Sequence, residues 1–275
     1  MGKRIKKWLG FNKHSEYVSK YLERANFNTS IYMSLVVMIL EIWMLVRTFV
    51  LYVIKGDTTY GLDWIMPHVY AYCILLISAS ALFVFSIRYV RNKTDNGRLG
   101  LAILVIFSII ALIFGMYISS VSYAEGRQIL TFLTMDLFVC TLIVWRPYIS
   151  ILVISSTFIM FYEICLRVKG FFVVGDQINY FCYYVFAVII SISIYYQRIE
   201  EATKAESLEN MNHHLEKIAI EDDITGIKNI NYFVKNATEL MHQNKDRLVT
   251  RQSDDHFLIL TDRRGARERL IFFLR

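Results

Sequence analysis

Six apolar runs between residues 29 and 197 restrict this sequence more than any other feature. Each holds roughly 20 residues, the length of helix that crosses a hydrocarbon core about 30 Å thick. Backbone groups in lipid must be bonded within their own segment, so every run is expected to be a helix. The spans read as residues 29–54, 64–88, 99–122, 128–146, 148–167 and 177–197. Only Arg146 and Pro147 separate the fourth from the fifth. A helical hairpin needs little more, and Pro147 suits the first turn of the second helix. Hydrophobic residues make up 55% of the 275, the mean hydropathy is +0.39, and proline occurs twice, at Pro67 and Pro147. Charged pairs cluster before and after the apolar runs, so the expected fold is mainly α, a six-helix transmembrane bundle carrying a soluble tail.

Lysine and arginine in the short loops orient the bundle. Lys3, Arg4, Lys6, Lys7, Lys13, Lys20 and Arg24 precede the first span, and Arg88, Arg91, Lys93 and Arg98 follow the second. The opposite loops hold only Lys55 beside Asp57 and Asp63, then Glu125 and Arg127, and finally Arg167 and Lys169, which run against the trend. Both termini are therefore expected in the cytoplasm. Residues 1–28 read as a basic amphipathic arm rather than a signal peptide, because a polar segment separates the basic residues from the first apolar run. Trp8, Leu9, Phe11, Tyr17 and Tyr21 among the cations suit a helix lying on an anionic leaflet. A solvated arm that merely obeys the positive-inside rule is the alternative. Membrane topology accounts for the net charge of +6, so no nucleic-acid partner is expected. Cys73, Cys140, Cys165 and Cys182 all fall within the spans without ligand spacing, and we expect neither a disulfide nor a metal cluster.

Ionisable groups in hydrocarbon are costly and mark candidate sites. Counting along the helices places Glu41 and Asp136 near the midplane, and Arg47 and Glu163 at similar depths nearer the outer face. Arg47 and Glu163 are the expected ion pair. These groups read either as polar glue facing the bundle interior or as a ligand- or proton-sensing site. Tyr180, Tyr183, Tyr184, Tyr195 and Tyr196 around the sixth span read as interfacial belts.

Residues 198–221 turn polar and charged without glycine or proline, which predicts a continuous linker helix leaving the sixth span. Leu208, Met211, Leu215 and Ile218 follow the three-four-three spacing of a coiled-coil seam, so a homodimer through this helix is expected. A helix packing on its own C-terminal domain would also use such a stripe.

The last segment, residues 222–275, opens with Asp222-Asp223-Ile224-Thr225-Gly226-Ile227-Lys228-Asn229, and later reads Arg251-Gln252-Ser253-Asp254-Asp255-His256-Phe257 before the apolar run Leu258-Ile259-Leu260. The first stretch resembles D-x-L-T-G-L-x-N-R, the opening signature of the GGDEF domain of bacterial diguanylate cyclases. The second is similar to that family's R-x-G-G-D-E-F and the strand after it. Asp222, Thr225, Gly226, Asn229 and Phe257 match the pattern. The resemblance implies two GTP-loaded domains that join their nucleotides into cyclic di-GMP, with magnesium or manganese held by carboxylates. It places Asp255 at the metal-binding acid and makes Asp255 and His256 the candidate catalytic positions. Ser253 and Asp254 stand where the family has paired glycines, and His256 where it has glutamate. No D-x-D-x-F-K-x-x-N-D run occurs between Ile230 and Thr250, where the family carries a metal-binding aspartate and the guanine-reading pair. These departures from the family's pattern imply a small, shortened α/β tail that is catalytically silent, with magnesium or manganese bound only if the site is active.

The expected function is a multi-pass signalling protein of a bacterial cytoplasmic membrane, with the lipid bilayer as its partner and a doubtful claim on GTP. An active cyclase whose missing strand reflects a gene-model error is one alternative. A small cation or proton transporter using Glu41 and Asp136 is another.

Overall fold

The computed structural model describes residues 8–11, 13–56, 61–91, 96–172 and 174–220, with the backbone of 228–229, 247–253 and 256–261. The chain divides into two compact units, Met1–Thr203 and Lys204–Arg275.

The first unit is helical. Helix α1 (Glu16–Phe49) is prolonged by a π-helical turn, Val50–Ile54, and is followed by α2 (Leu62–Val90), α3 (Gly97–Ala124), α4 (Leu130–Leu142), α5 (Pro147–Lys169) and α6 (Val174–Ile220). Five of these are long and apolar enough to cross a membrane, and α4, with 13 residues, is not. Large apolar side chains such as Ile39, Trp43, Ile77, Ile106, Ile159 and Phe181 point outward. Such a surface suits lipid rather than water.

Helix α1 begins well before the apolar run. Ser15 caps it, its Oγ accepting the Val18 amide at 3.2 Å, and Glu16 in the first turn pairs with Lys20 at 2.8 Å. Within the arm expected over residues 1–28, residues 16–28 are helical and run without a break into the apolar stretch. Hydropathy locates where a helix becomes apolar, and a polar extension with no glycine or proline leaves its true start unmarked.

The fourth apolar run, expected over 128–146, is helical only over Leu130–Leu142. A residue before proline is pushed out of the α region, and Arg146 is accordingly extended at φ −63°, ψ 139°. Ile143 is extended as well, at φ −115°, ψ 129°. Amides left without a helical acceptor at the two ends of α4 find side chains on other helices. Asn26 Oδ1 of α1 accepts the Val144 N–H at 3.0 Å, and Ser119 Oγ of α3 accepts the Phe132 N–H at 2.7 Å. Helix α4 is thus capped at both ends by its neighbours.

Contacts at the helix ends fix an alternating course. At one end Phe27 of α1 packs on Phe85 and Tyr89 of α2, Glu23 lies against Gly97 of α3, and Asn26 holds the exit of α4. The segment before α1 closes the same end. Its Leu9 carbonyl accepts the Tyr148 amide at 3.4 Å, Phe11 stacks on Tyr148 at 4.6 Å, and His14 hydrogen-bonds the Tyr195 hydroxyl at 2.8 Å. At the other end Trp64 of α2 donates to Glu125 just past α3, and Phe172 after α5 stacks on Tyr123 of α3. Two buried clusters fill the bundle. One, around Leu75, Leu104 and Phe107, is shared by α1 to α4, and the other, around Phe132, Phe158 and Phe161, by α3 to α6.

The second unit contains the polar end of α6 and a three-stranded sheet of order β1 (Lys228–Asn229), β2 (Arg247–Ser253), β3 (His256–Thr261). β1 pairs with β2 in parallel over two residues, and β2 with β3 antiparallel, with an irregularity between Arg251 and Ser253.

Two predictions follow from the first unit's packing. A Cβ on Gly115 of α3 would stand 2.9 Å from Met135 Cβ and 3.2 Å from the Phe132 backbone of α4. Gly→Ala in an open helix gains about 1 kcal/mol, so a net loss isolates the packing conflict. We expect Gly115→Ala to lose about 1–3 kcal/mol in unfolding of the detergent-solubilised chain; a gain would mean that α3 and α4 are loosely apposed. Burial, and then the neighbouring Arg146 charge, push the His14 ring below the ordinary histidine value. A base with a depressed folded-state pKa binds fewer protons when folded, so its contribution is complete above its unfolded value and is lost as pH falls. The segment carrying His14 should therefore loosen as pH drops below about 6.5, read as rising mobility of a spin label at Leu9, and His14→Gln should abolish that dependence.

Candidate functional site

Glu41 and Asp136 are both buried, at 3% and 2% exposure, but they occupy different places. Asp136 lies on α4, whose position is set by the Ser119 cap one turn earlier. Its Oδ1 is 3.2 Å from Thr157 Oγ1 on α5, and Cys140 Sγ donates to its Oδ2 at 3.7 Å. The Thr157 hydroxyl carries one hydrogen and has a second acceptor, the Ile154 carbonyl, at 2.9 Å. Both contacts are made at once when Asp136 holds a proton and donates to Thr157, which in turn donates to Ile154. The aromatic cluster of Phe132, Phe158, Phe161 and Tyr180 surrounds this group, and nothing in it supplies a positive charge.

Glu41 sits on α1 with Oε2 buried and without a hydrogen-bond donor among the described residues. Tyr72 of α2 is within electrostatic range of it. Tyr72 belongs to a run of rings climbing α2. His68 packs on it at 6.4 Å and on Tyr117 of α3 at 5.5 Å, and Trp64 stacks on His68 at 3.9 Å. The His68 ring also bonds the Trp64 carbonyl at 2.7 Å. His68 is buried and was not singled out by the sequence, because one histidine in an apolar run carries no spacing signal.

Arg47 and Glu163 do not form the expected ion pair. Both side chains are exposed and no salt bridge joins them. Counting residues fixes the depth of a side chain along a helix but not the direction in which it points. The tyrosines of α6 are also less belt-like than expected. Tyr180 donates to the Phe158 carbonyl, Tyr184 bonds Ser155 at 2.9 Å, Tyr195 bonds His14, and Tyr196 donates to the Trp8 carbonyl at 2.6 Å. Tyr183 is the exposed one. With Ser150 and Ser191 at 2.6 Å, these bonds fasten α6 to α5 and to the N-terminal segment.

In the second unit Asn229 ends β1, Ser253 ends β2, and His256 and Phe257 open β3, with Ser253 facing His256 and Arg251 facing Phe257 in the backbone register. Asp222, Thr225, Gly226, Asp254 and Asp255 lie outside the described residues.

The proton count at Asp136 is testable. Asp136→Asn keeps a donor for Thr157, whereas Thr157→Val strands a buried carboxyl, at a cost of about 1–3 kcal/mol. Thermal unfolding should rank Thr157→Val below Asp136→Asn; the reverse order would mean that the carboxylate charge itself is needed. Compared with protein-family models, with curated proteins and with solved structures, the chain matches none.

Proposed function

We propose that this chain is a signalling protein of a bacterial cytoplasmic membrane, in which a six-span module acts through α6 on a catalytically silent GGDEF-like output. The observation that carries this reading is α6 itself. One unbroken helix of 47 residues runs from an apolar half fastened by Tyr180, Tyr184 and Ser191 to a polar half on which Leu208, Met211, Leu215 and Ile218 stand exposed along one seam. A change in packing among the membrane helices has in α6 a continuous element to move, and a seam on which a second copy of the chain would zip.

The count of six spans rests on the alternating course. Trp8 and His14 bond Tyr196 and Tyr195, a return of the chain toward its starting end that supports an even number of passes. Helix α4 is the short one. Its 13 residues reach about 20 Å at 1.5 Å each, and the partly extended exit over 143–146 adds up to about 3.3 Å per residue toward the roughly 30 Å core. The lysine and arginine distribution then puts both termini in the cytoplasm.

The transporter reading has no observation of its own: Glu41 lies near Tyr72 of α2, while Asp136 is bonded to Thr157 of α5 and Cys140. For the output, Ser253, Asp254 and His256 in place of the motif's glycines and glutamate leave Asp255 as one carboxylate where metal-assisted phosphoryl chemistry calls for a cluster.

Purified chain given GTP with magnesium or manganese should yield no cyclic di-GMP above a mock control by mass spectrometry. Product that disappears in Asp255→Ala would make the chain an enzyme. Single cysteines at Leu208 and Leu215 should cross-link between copies in membranes while one at Glu209 does not, and equal yields at all three would remove the seam from the proposal.

A further inference from the structure

A cavity of about 340 Å³ lies at the end of the first unit where the chain begins, and five separate segments build it. Its polar lining consists of His14, Ser19, Glu23, Asn26, Arg98, Arg146 and Tyr195. The positive-inside rule explains why arginines occur at this level. It does not explain why two of them, from the start of α3 and from the turn before α5, line one cavity together with a carboxylate.

The hydrogen-bonding balance of the lining is incomplete in a specific way. Neither Arg98 nor Arg146 has a carboxylate within salt-bridge distance among the described residues. Glu23 faces the first turn of α3, where a Cβ on Gly97 would fall 1.7 Å from Oε1, yet that buried oxygen accepts no hydrogen bond. The other polar groups are engaged. Asn26 Oδ1 holds the Val144 amide, and His14 is bonded to Tyr195. His14 is neutral at physiological pH, because burial and Arg146 disfavour its charged form. Two guanidinium groups against one carboxylate leave a single net positive charge. An anion that accepts from the two arginines and also carries a donor for the Glu23 carboxylate would complete the lining. Guanidinium forks match phosphate oxygens, and hydroxyls adjoining a phosphate supply the donor. Leu101 lines the same cavity and is largely exposed on the apolar flank of α3, so the site opens toward the lipid-facing surface.

We infer that this cavity binds a hydroxylated phosphate of the glycerophosphate type, its phosphate on Arg98 and Arg146 and a hydroxyl on Glu23. A glycerol-bearing phospholipid headgroup and a soluble glycerol phosphate share that chemistry. Either ligand would bridge the N-terminal segment, through His14, to α6, through Tyr195.

The test uses the full chain in nanodiscs of phosphatidylcholine, a phosphodiester without a hydrogen-bond donor in its headgroup. Thermal unfolding is followed as phosphatidylglycerol is added to the bilayer, or glycerol 3-phosphate to the buffer. A ligand that binds only the folded chain raises the midpoint with concentration. A rise with phosphatidylglycerol alone assigns the site to lipid, a rise with glycerol 3-phosphate alone assigns it to a soluble ligand, and both support the inference. Arg98→Gln and Arg146→Gln should each weaken the effect about tenfold, as the loss of one charged hydrogen bond does, whereas Arg91→Gln, the same charge change outside the cavity, should not. Glu23→Gln should lessen the preference for phosphatidylglycerol over phosphatidylcholine. No rise with either probe, or a rise that survives in the Arg98→Gln/Arg146→Gln double variant, overturns it. Should the double variant fail to fold, Arg98→Gln alone, a change at an exposed side chain, carries the comparison.

Discussion

A backbone amide that leaves its helix inside an apolar bundle has to find another acceptor, and the arrangement of this protein turns on where that happens. The break lies around α4. Pro147 forces Arg146 out of the helical region, Ile143 is extended as well, and Asn26 of α1 takes the freed Val144 amide. At the other end of α4, Ser119 of α3 takes the Phe132 amide. The shortest helix is therefore positioned by the two side chains that satisfy it. Because it is so positioned, Asp136 meets Thr157 and Gly115 can press against the α4 backbone.

The same economy of partners organises the end where the chain begins. Ahead of α1, the Leu9 carbonyl, Phe11 ring and His14 ring engage Tyr148 and Tyr195. These contacts tie the start of α5 and the middle of α6 to the entry of α1. An event that altered the segment would be felt directly by α6, the one helix that continues into the second unit. The buried acids lie deeper and are served differently. Asp136 has the neutral side chains of Thr157 and Cys140 as its partners, while Glu41 has a stack of rings from Trp64 to Tyr72 between it and the opposite end. A carboxyl with no compensating charge in apolar surroundings is costly when ionised, which makes each of them responsive to whatever changes its contacts.

The length and apolarity of the runs are properties of local composition, so the helical, membrane-like character and the rough position of the helices could be read directly from residue order. Helix-breaking chemistry is also local, and Pro147 marked the turn between α4 and α5. The start of α1 at Glu16 escaped, because a polar helix entering an apolar one leaves no mark at the junction. The shortening of α4 escaped too, since Ile143 to Trp145 are as apolar as a helix requires, and only Asn26, more than a hundred residues earlier, makes their departure from it tolerable. What residue order could not supply was azimuth. It gave Arg47 and Glu163 a common depth and thus a pairing, whereas the packing of α1 and α5 turns both outward. It read the tyrosines of α6 as a belt, whereas tertiary contacts make four of them fasteners. The cavity of Arg98, Arg146 and Glu23 exists only because three distant segments converge on it. Local sequence decides which backbone conformation each stretch adopts, because the hydrogen bonds that decide it are local; the partners of the polar side chains are decided by rotation and packing of whole helices, which no single stretch encodes.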